Sequence, residues 1–237
     1  MKEIFSRLNR EWQITYYTDI ILFVILIVTL VIAFKKRKHI PELKLIRIYL
    51  ILFIALTASS YYSISTTQNK TDTLVYKSIL PQEYGVAVIE FATFVFYALS
   101  ITQIALHRIL LKWLAGIIPA VFLIFYLLSF VDSVNSQYVV LHYMSLLEEL
   151  GLLLTCVLYF IELFKNPPKH RLLDSPPFWI FSGLTFYSVC TLPITIIAPH
   201  LIIAQKDLYL RMFSTVYIFY IVLFGMIIKG YLCKQTI

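Results

Sequence analysis

The sequence predicts an all-α fold, a bundle of seven transmembrane helices with its amino terminus outside and its carboxyl terminus cytoplasmic. Three observations predict it. Hydrophobic residues fill 60% of the 237 positions and the mean hydropathy is +0.82, whereas soluble domains carry roughly 45–50% apolar residues. Seven apolar runs recur along the chain, each near the ~20 residues that cross a bilayer as a helix. The lysines and arginines divide unequally between the two sets of loops that join those runs.

The runs cover residues 14–34, 43–64, 86–106, 110–131, 139–164, 178–199 and 208–232. Strands do not fit such lengths, because a membrane strand needs only about 9–11 alternating residues. Residues 1–13 place Ile4, Phe5, Leu8 and Trp12 at helical spacing among Lys2, Arg7 and Arg10, the pattern of a short helix lying on the bilayer surface; a frayed tail fits them equally well. No small-residue cleavage pattern follows the first run, so a removable signal peptide is not expected. The one sizeable polar stretch, 65–85, reads as an outer loop, and the whole chain reads as a single transmembrane domain. Asn69-Lys70-Thr71 within it matches the glycosylation acceptor pattern, which is too short to carry weight.

Loop charge sets the orientation. One side collects Lys35, Lys36, Arg37, Lys38, Lys44, Arg47, Arg108, Lys112, Lys165, Lys169, Arg171, Lys229 and Lys234. The other side has Lys2, Arg7, Arg10, Lys70, Lys77, Lys206 and Arg211. The richer side is cytoplasmic by the positive-inside rule. The net charge of +7 is therefore a topology signal, and no nucleic-acid partner is expected. The basic loops, Lys35 to Arg47 above all, suit anionic headgroups or a cytoplasmic partner. The bilayer itself, in a bacterial inner membrane, is the expected surrounding. Three cysteines, Cys156, Cys190 and Cys233, form no CxxC pair, so neither a disulfide scaffold nor a zinc site is expected.

The functional signal lies in polar residues within the apolar runs, since ionisable groups at membrane depth are costly and normally face a bundle interior. Helix three carries Glu90, Thr93, Tyr97, Ser100, Gln103 and His107 as a helical stripe. Helix five carries His142, Ser145, Glu149, Cys156 and Tyr159, with Glu148 turned to a different neighbour. Helix six adds Ser182, Thr185, Ser188, Cys190 and Thr191. Helix seven adds Arg211, Ser214 and Tyr217, with Arg211 a natural counter-ion for one of the acids. Asp19 and Tyr16 mark the outer end of helix one. Glu90, Arg211 and Asp19 also fit interfacial residues that snorkel to headgroups, and tyrosines at helix ends, such as Tyr16, Tyr61 and Tyr209, fit an aromatic belt. The adjacent pair Glu148 and Glu149 is harder to assign to an interface. Pro119 and Pro193 each remove a helical hydrogen bond and predict a kink. A transporter-like repeat of three helices would carry matched prolines, and helices one to three have none in their apolar spans.

The candidate ligand-binding set is thus Glu90, Tyr97, His142, Glu148, Glu149, Thr185, Arg211 and Tyr217, with no catalytic residue, cofactor or metal expected. His39, His107, His142, His170 and His200 never pair as HxxxH, the spacing that puts two metal ligands on one helix face. Neither a GxSx nor a GxGD motif occurs, and Lys229 lies at the end of the last helix, away from the mid-helix place a retinal lysine would need.

From Tyr159-Phe-Ile-Glu162-Leu-Phe, through a short basic loop, to Ser175-Pro-Pro177-Phe178-Trp179-Ile180-Phe-Ser182-Gly183-Leu184-Thr-Phe-Tyr187 and Leu192-Pro193, the sequence resembles a family of small, uncharacterised heptahelical bacterial membrane proteins. More distantly it resembles the seven-helix sensor region of some histidine kinases. The resemblance implies the seven-helix fold and a sensory role, and assigns no residue a function. The sequence reaches Ile237 without the kinase domain of the kinase-linked version, so any output is expected to pass through a separate partner. The leading expectation is a non-enzymatic sensor or accessory signalling subunit that binds a small or lipidic ligand in a polar pocket between helices three, five, six and seven. The alternatives are a transporter or proton pathway using Glu90, Glu148 and Glu149, and an intramembrane lipid-acting enzyme.

Overall fold

In the computed structural model the described residues are 20–36, 43–67, 72–128, 134–167, 171–204 and 206–233, with only the main chain described over 60–67, 72–83, 128, 134–141, 202–204, 206–207, 209–211 and 213–214. They form seven α-helices: α1 (Ile20–Lys35), α2 (Lys44–Thr67), α3 (Asp72–Ile101), α4 (Ala105–Leu128), α5 (Val134–Lys165), α6 (Pro176–Ala204) and α7 (Lys206–Leu232). A 3-10 turn, Leu172–Asp174, precedes α6. No strand occurs among the described residues. Stretches of α3, α4, α5, α6 and α7 are long and apolar enough to cross a membrane, and α1 is a shorter apolar helix over its described length. Helix is the form such runs take because it satisfies every backbone polar group within the segment. The stretch 1–13, Tyr16, Asp19 and the acceptor pattern at 69–71 lie outside the described residues.

Neighbouring helices pack as α2 on α3, α3 on α4 and α5, α4 on α5, α5 on α6, and α6 on α7. Phe53 of α2 closes the ring onto α7, its centroid 5.9 Å from that of Tyr220 and 5.8 Å from that of Phe224. α1 lends Leu22, Leu26, Thr29 and Ala33 to the same core, spaced as one helix face. α4 stands on the perimeter, with 17% of its apolar span buried against 50% for α3. Its outer face shows Leu106, Ile109, Trp113, Ile117 and Ile124.

At one end of the bundle gather the basic residues Lys35, Lys44, Arg108, Lys112, Lys165, Arg171 and Lys229, all exposed. Here Tyr231 Oη donates to the Leu43 carbonyl (3.1 Å). Trp179 Nε1 donates to the Leu173 carbonyl (2.7 Å), and Lys229 Nζ lies 5.6 Å from the centre of the Trp179 ring. The Ser175-Pro176-Pro177 start of α6 follows from chemistry, since proline is pre-organised for the first helical position, where no N–H partner is needed.

Two features correct the sequence reading. The described part of the stretch 65–85 is helical and not a loop: α2 runs to Thr67 and α3 begins at Asp72, so polar residues continue both helices beyond their apolar spans. Helix three does not reach residue 106, because α3 ends at Ile101 and Thr102, Gln103 and Ile104 are non-helical before α4 starts at Ala105. The amides freed by the break donate to a carboxylate from α5, as described below.

Glycine sets the closest helix approach. A Cβ added to Gly151 of α5 would lie 2.6 Å from both Phe91 Cε2 and Ile118 Cδ1, so α5 meets α3 and α4 there at backbone distance. Gly151→Leu is expected to destabilise the fold by about 1–3 kcal/mol through overpacking, read as a lowered thermal midpoint of the purified protein. An unchanged midpoint would show that this contact is slack.

Candidate functional site

The interior carries a line of acids and hydroxyls supplied by five helices. α3 turns Ala87, Glu90, Phe91, Phe94, Tyr97 and Ala98 inward, at the three- and four-residue steps of one helix face. Glu90 is 1% exposed. Its Oε2 accepts from Tyr49 Oη of α2 (3.3 Å) and Tyr220 Oη of α7 (3.4 Å), while Oε1 is buried without a hydrogen-bond partner. Tyr220 lies against Tyr187 of α6, ring centres 4.5 Å apart. Tyr187 in turn lies within electrostatic range of Glu90, Glu149 and Glu148.

Glu149 occupies the same interior, further from the basic end. Thr195 Oγ1 of α6 donates to Glu149 Oε1 (2.7 Å) and also approaches the Thr191 carbonyl (3.2 Å). Glu149 Oε2 is buried and unpartnered, as is Ser188 Oγ. Pro193 lies between Thr191 and Thr195 inside α6, where it cannot bond the carbonyl four residues back. The α5 carboxylate therefore holds α6 at a turn where proline has removed a helical hydrogen bond.

Toward the basic end an aromatic stack stands in the interior beyond these groups. Tyr97 of α3 stacks on Phe181 of α6 (5.7 Å, 9°), and Phe181 on Tyr159 of α5 (4.2 Å, 21°). All three are buried. Beyond the stack is Glu162 of α5, 8% exposed. Its Oε1 accepts from the amides of Gln103 and of Ile104, the latter at 3.1 Å, and its Oε2 lies 3.4 Å from Nδ1 of the buried His107. A carboxylate at these amides satisfies the donors that the start of α4 leaves open and suits the positive end of its dipole.

The predicted residues divide accordingly. Glu90, Tyr97, Glu148 and Glu149 belong to the interior or its margin. Glu148 is half-buried and within electrostatic range of Tyr49, Tyr187 and Tyr220. His142 is half-buried near the far end of α5, its ring 5.7 Å from Tyr143, and Tyr217 is half-buried on α7. The side chain of Arg211, the expected counter-ion, and that of Ser214 lie outside the described residues. Thr185 donates to the Phe181 carbonyl (2.7 Å) and, with Phe160, Ser182, Phe186, Val189 and Cys190, lines an open groove of about 350 Å³ between α5 and α6, apart from the acids. Of the helix-three stripe, Ser100 and Gln103 are exposed and His107 belongs to α4. Repeated steps of three fall short of a 3.6-residue turn and drift off the inward face. Reading the sequence alone missed Tyr49, Tyr187, Tyr220 and Thr195, and gave Glu162 no role. The available signal was a tyrosine in the middle of an apolar run, where no interface exists to hold it.

The arrangement defines an all-helical bundle with a buried acid and tyrosine interior, able to accept a cation or hydrogen-bond donor at two unpaired carboxylate oxygens. No protein-family model, curated protein or solved structure matches the chain.

Proposed function

We propose that the protein is a seven-span membrane sensor or accessory signalling subunit, non-enzymatic, with its amino terminus outside and its basic end in the cytoplasm of a bacterial cell. The observation that carries this reading is the Glu149–Thr195 hydrogen bond across α5 and α6, two residues from Pro193, with Glu149 Oε2 buried and unpaired beside it. A small or lipidic ligand that offers a donor or positive charge to Glu149 competes with Thr195, frees α6 at its Pro193 turn, and moves its start at the basic end, where a partner reads the shift. The expected likeness to the sensor region of histidine kinases agrees with this role.

A second reading, a proton pathway, is favoured by Tyr187, which lies against Tyr220 and within electrostatic range of both acids. The aromatic stack of Tyr97, Phe181 and Tyr159 argues against it, since it interposes rings between the acids and the basic end. One pair of measurements separates the two. Spin labels on Phe164 and Leu173, exposed residues of α5 and of the turn before α6, are expected to show a changed distance distribution in Thr195→Val and Glu149→Gln, because each alters a hydrogen bond of about 1–3 kcal/mol. Liposomes holding the wild type are expected to keep a pH gradient as long as empty ones do. Gradient collapse that Glu149→Gln abolishes would transfer the reading to the pathway.

A further inference from the structure

The Glu90 cluster poses a charge problem that its neighbours leave open. A carboxylate removed from water loses several kcal/mol of solvation unless a partner compensates. Glu90 is 1% exposed, its only hydrogen-bond donors are two tyrosine hydroxyls at 3.3 and 3.4 Å, both long for O–H to oxygen bonds, and its Oε1 has none. His107 faces Glu162 at 3.4 Å beyond the aromatic stack, and among the described residues no salt bridge reaches Glu90. Behind the two tyrosines that reach the carboxylate pack further rings, Phe53 and Phe94 each 5.5 Å from Tyr49, and Phe53, Tyr187 and Phe224 against Tyr220.

We infer that the Glu90 carboxylate, whose Oε1 is open and whose Oε2 is faced by the hydroxyl oxygens of Tyr49 and Tyr220, binds with those hydroxyls a small monovalent inorganic cation of the size of sodium, tying α2, α3 and α7 together. The chemistry limits the class in three ways. All the available ligands are oxygens, which suit hard cations over those that prefer sulfur or imidazole. One carboxylate balances one positive charge, whereas a divalent ion at a single acid would leave net charge in a medium of low dielectric; among the described residues no group of three or more acids, histidines or cysteines could hold such an ion. The residues that line the cluster are wholly or largely buried, which favours an ion over an organic amine. The site uses no atom of Glu149 or Thr195, so it stands or falls apart from the sensor reading.

The test is binding of radioactive sodium to the full chain in detergent at constant pH and ionic strength, with N-methylglucamine as the replacing cation. Saturable binding is expected, together with a rise in thermal midpoint that sodium gives and N-methylglucamine does not. Glu90→Gln should lower the affinity by about tenfold or more and remove the rise, and Tyr49→Phe and Tyr220→Phe should each weaken binding while leaving the fold intact. Lys112→Gln, at an exposed position of the basic end, should bind as the wild type does. The proposal is overturned if no saturable binding occurs, if Glu90→Gln binds sodium as well as the wild type, or if acidification without sodium stabilises the protein as fully as sodium does, which would assign the site to a proton.

Discussion

Replacing Glu162 with alanine should lower stability by about 3–5 kcal/mol, because it leaves two part-buried amides without their acceptor and removes the carboxylate that faces the buried His107. The carboxylate accepts from Gln103 and Ile104 through one oxygen and faces His107 Nδ1 at 3.4 Å through the other. It thereby binds the α3–α4 junction to α5. Glu162→Gln keeps an acceptor for the amides and loses the charge facing His107, so its cost should be smaller, about 1–3 kcal/mol. Thermal unfolding of the purified protein gives the ranking, and hydrogen exchange at Gln103 and Ile104 gives the place. If alanine and glutamine prove equally mild, the junction is held by its own backbone and Glu162 is incidental.

Phe181→Ala is the second large effect. Phe181 is fully buried and stacked with both Tyr97 and Tyr159, so truncation should cost about 3–5 kcal/mol through lost contacts and a cavity. Unfolding can be followed by a maleimide dye at the buried Cys156, with the half-buried Cys190 and Cys233 changed to serine. Function should shift as well. Removing the central ring of the stack opens a gap between the Glu90 cluster and the end where Glu162 lies, and liposomes holding Phe181→Ala should lose a pH gradient faster than those holding the wild type. Phe181→Leu, which fills most of the volume, should restore both stability and tightness. A Phe181→Ala protein that is destabilised yet no leakier would mean that the stack is packing alone.

Much of the helical architecture was legible because an apolar run states its own length, and residues such as Pro119 and Pro193 fall inside helices as their surroundings required. The ends of α3 were not. Polar residues from Asp72 onward continue a helix that composition alone assigns to a loop, since backbone hydrogen bonds, and not hydropathy, decide where a helix stops. The break at Thr102 to Ile104 has no glycine or proline to announce it, and His107 follows Gln103 at a helical step, so periodicity passes over the interruption unmarked. In the site, Glu90 and Glu149 stood out because charge in an apolar run has few explanations. Their partners Tyr49, Tyr187, Tyr220 and Thr195 did not stand out, because a hydroxyl hidden among leucines and phenylalanines acquires meaning only from the helix it faces. Glu162 was passed over for a related reason: what it meets is main chain, which looks alike in every sequence.

The dependence of the α3–α4 junction on Glu162 also orders events during synthesis. Glu162 follows Gln103 by 59 residues, and all of α4 and most of α5 must be made before it exists. Until then the hairpin of α3 and α4 carries amides that its own residues leave unmet, and water or a chaperone has to meet them. The arrival of α5 supplies the acceptor, and with it Gly151, whose missing side chain lets α5 dock flush on both earlier helices. The nascent chain thus locks its third and fourth helices retroactively, and a ribosome stalled before Glu162 would present them as a loose pair open to quality-control proteases.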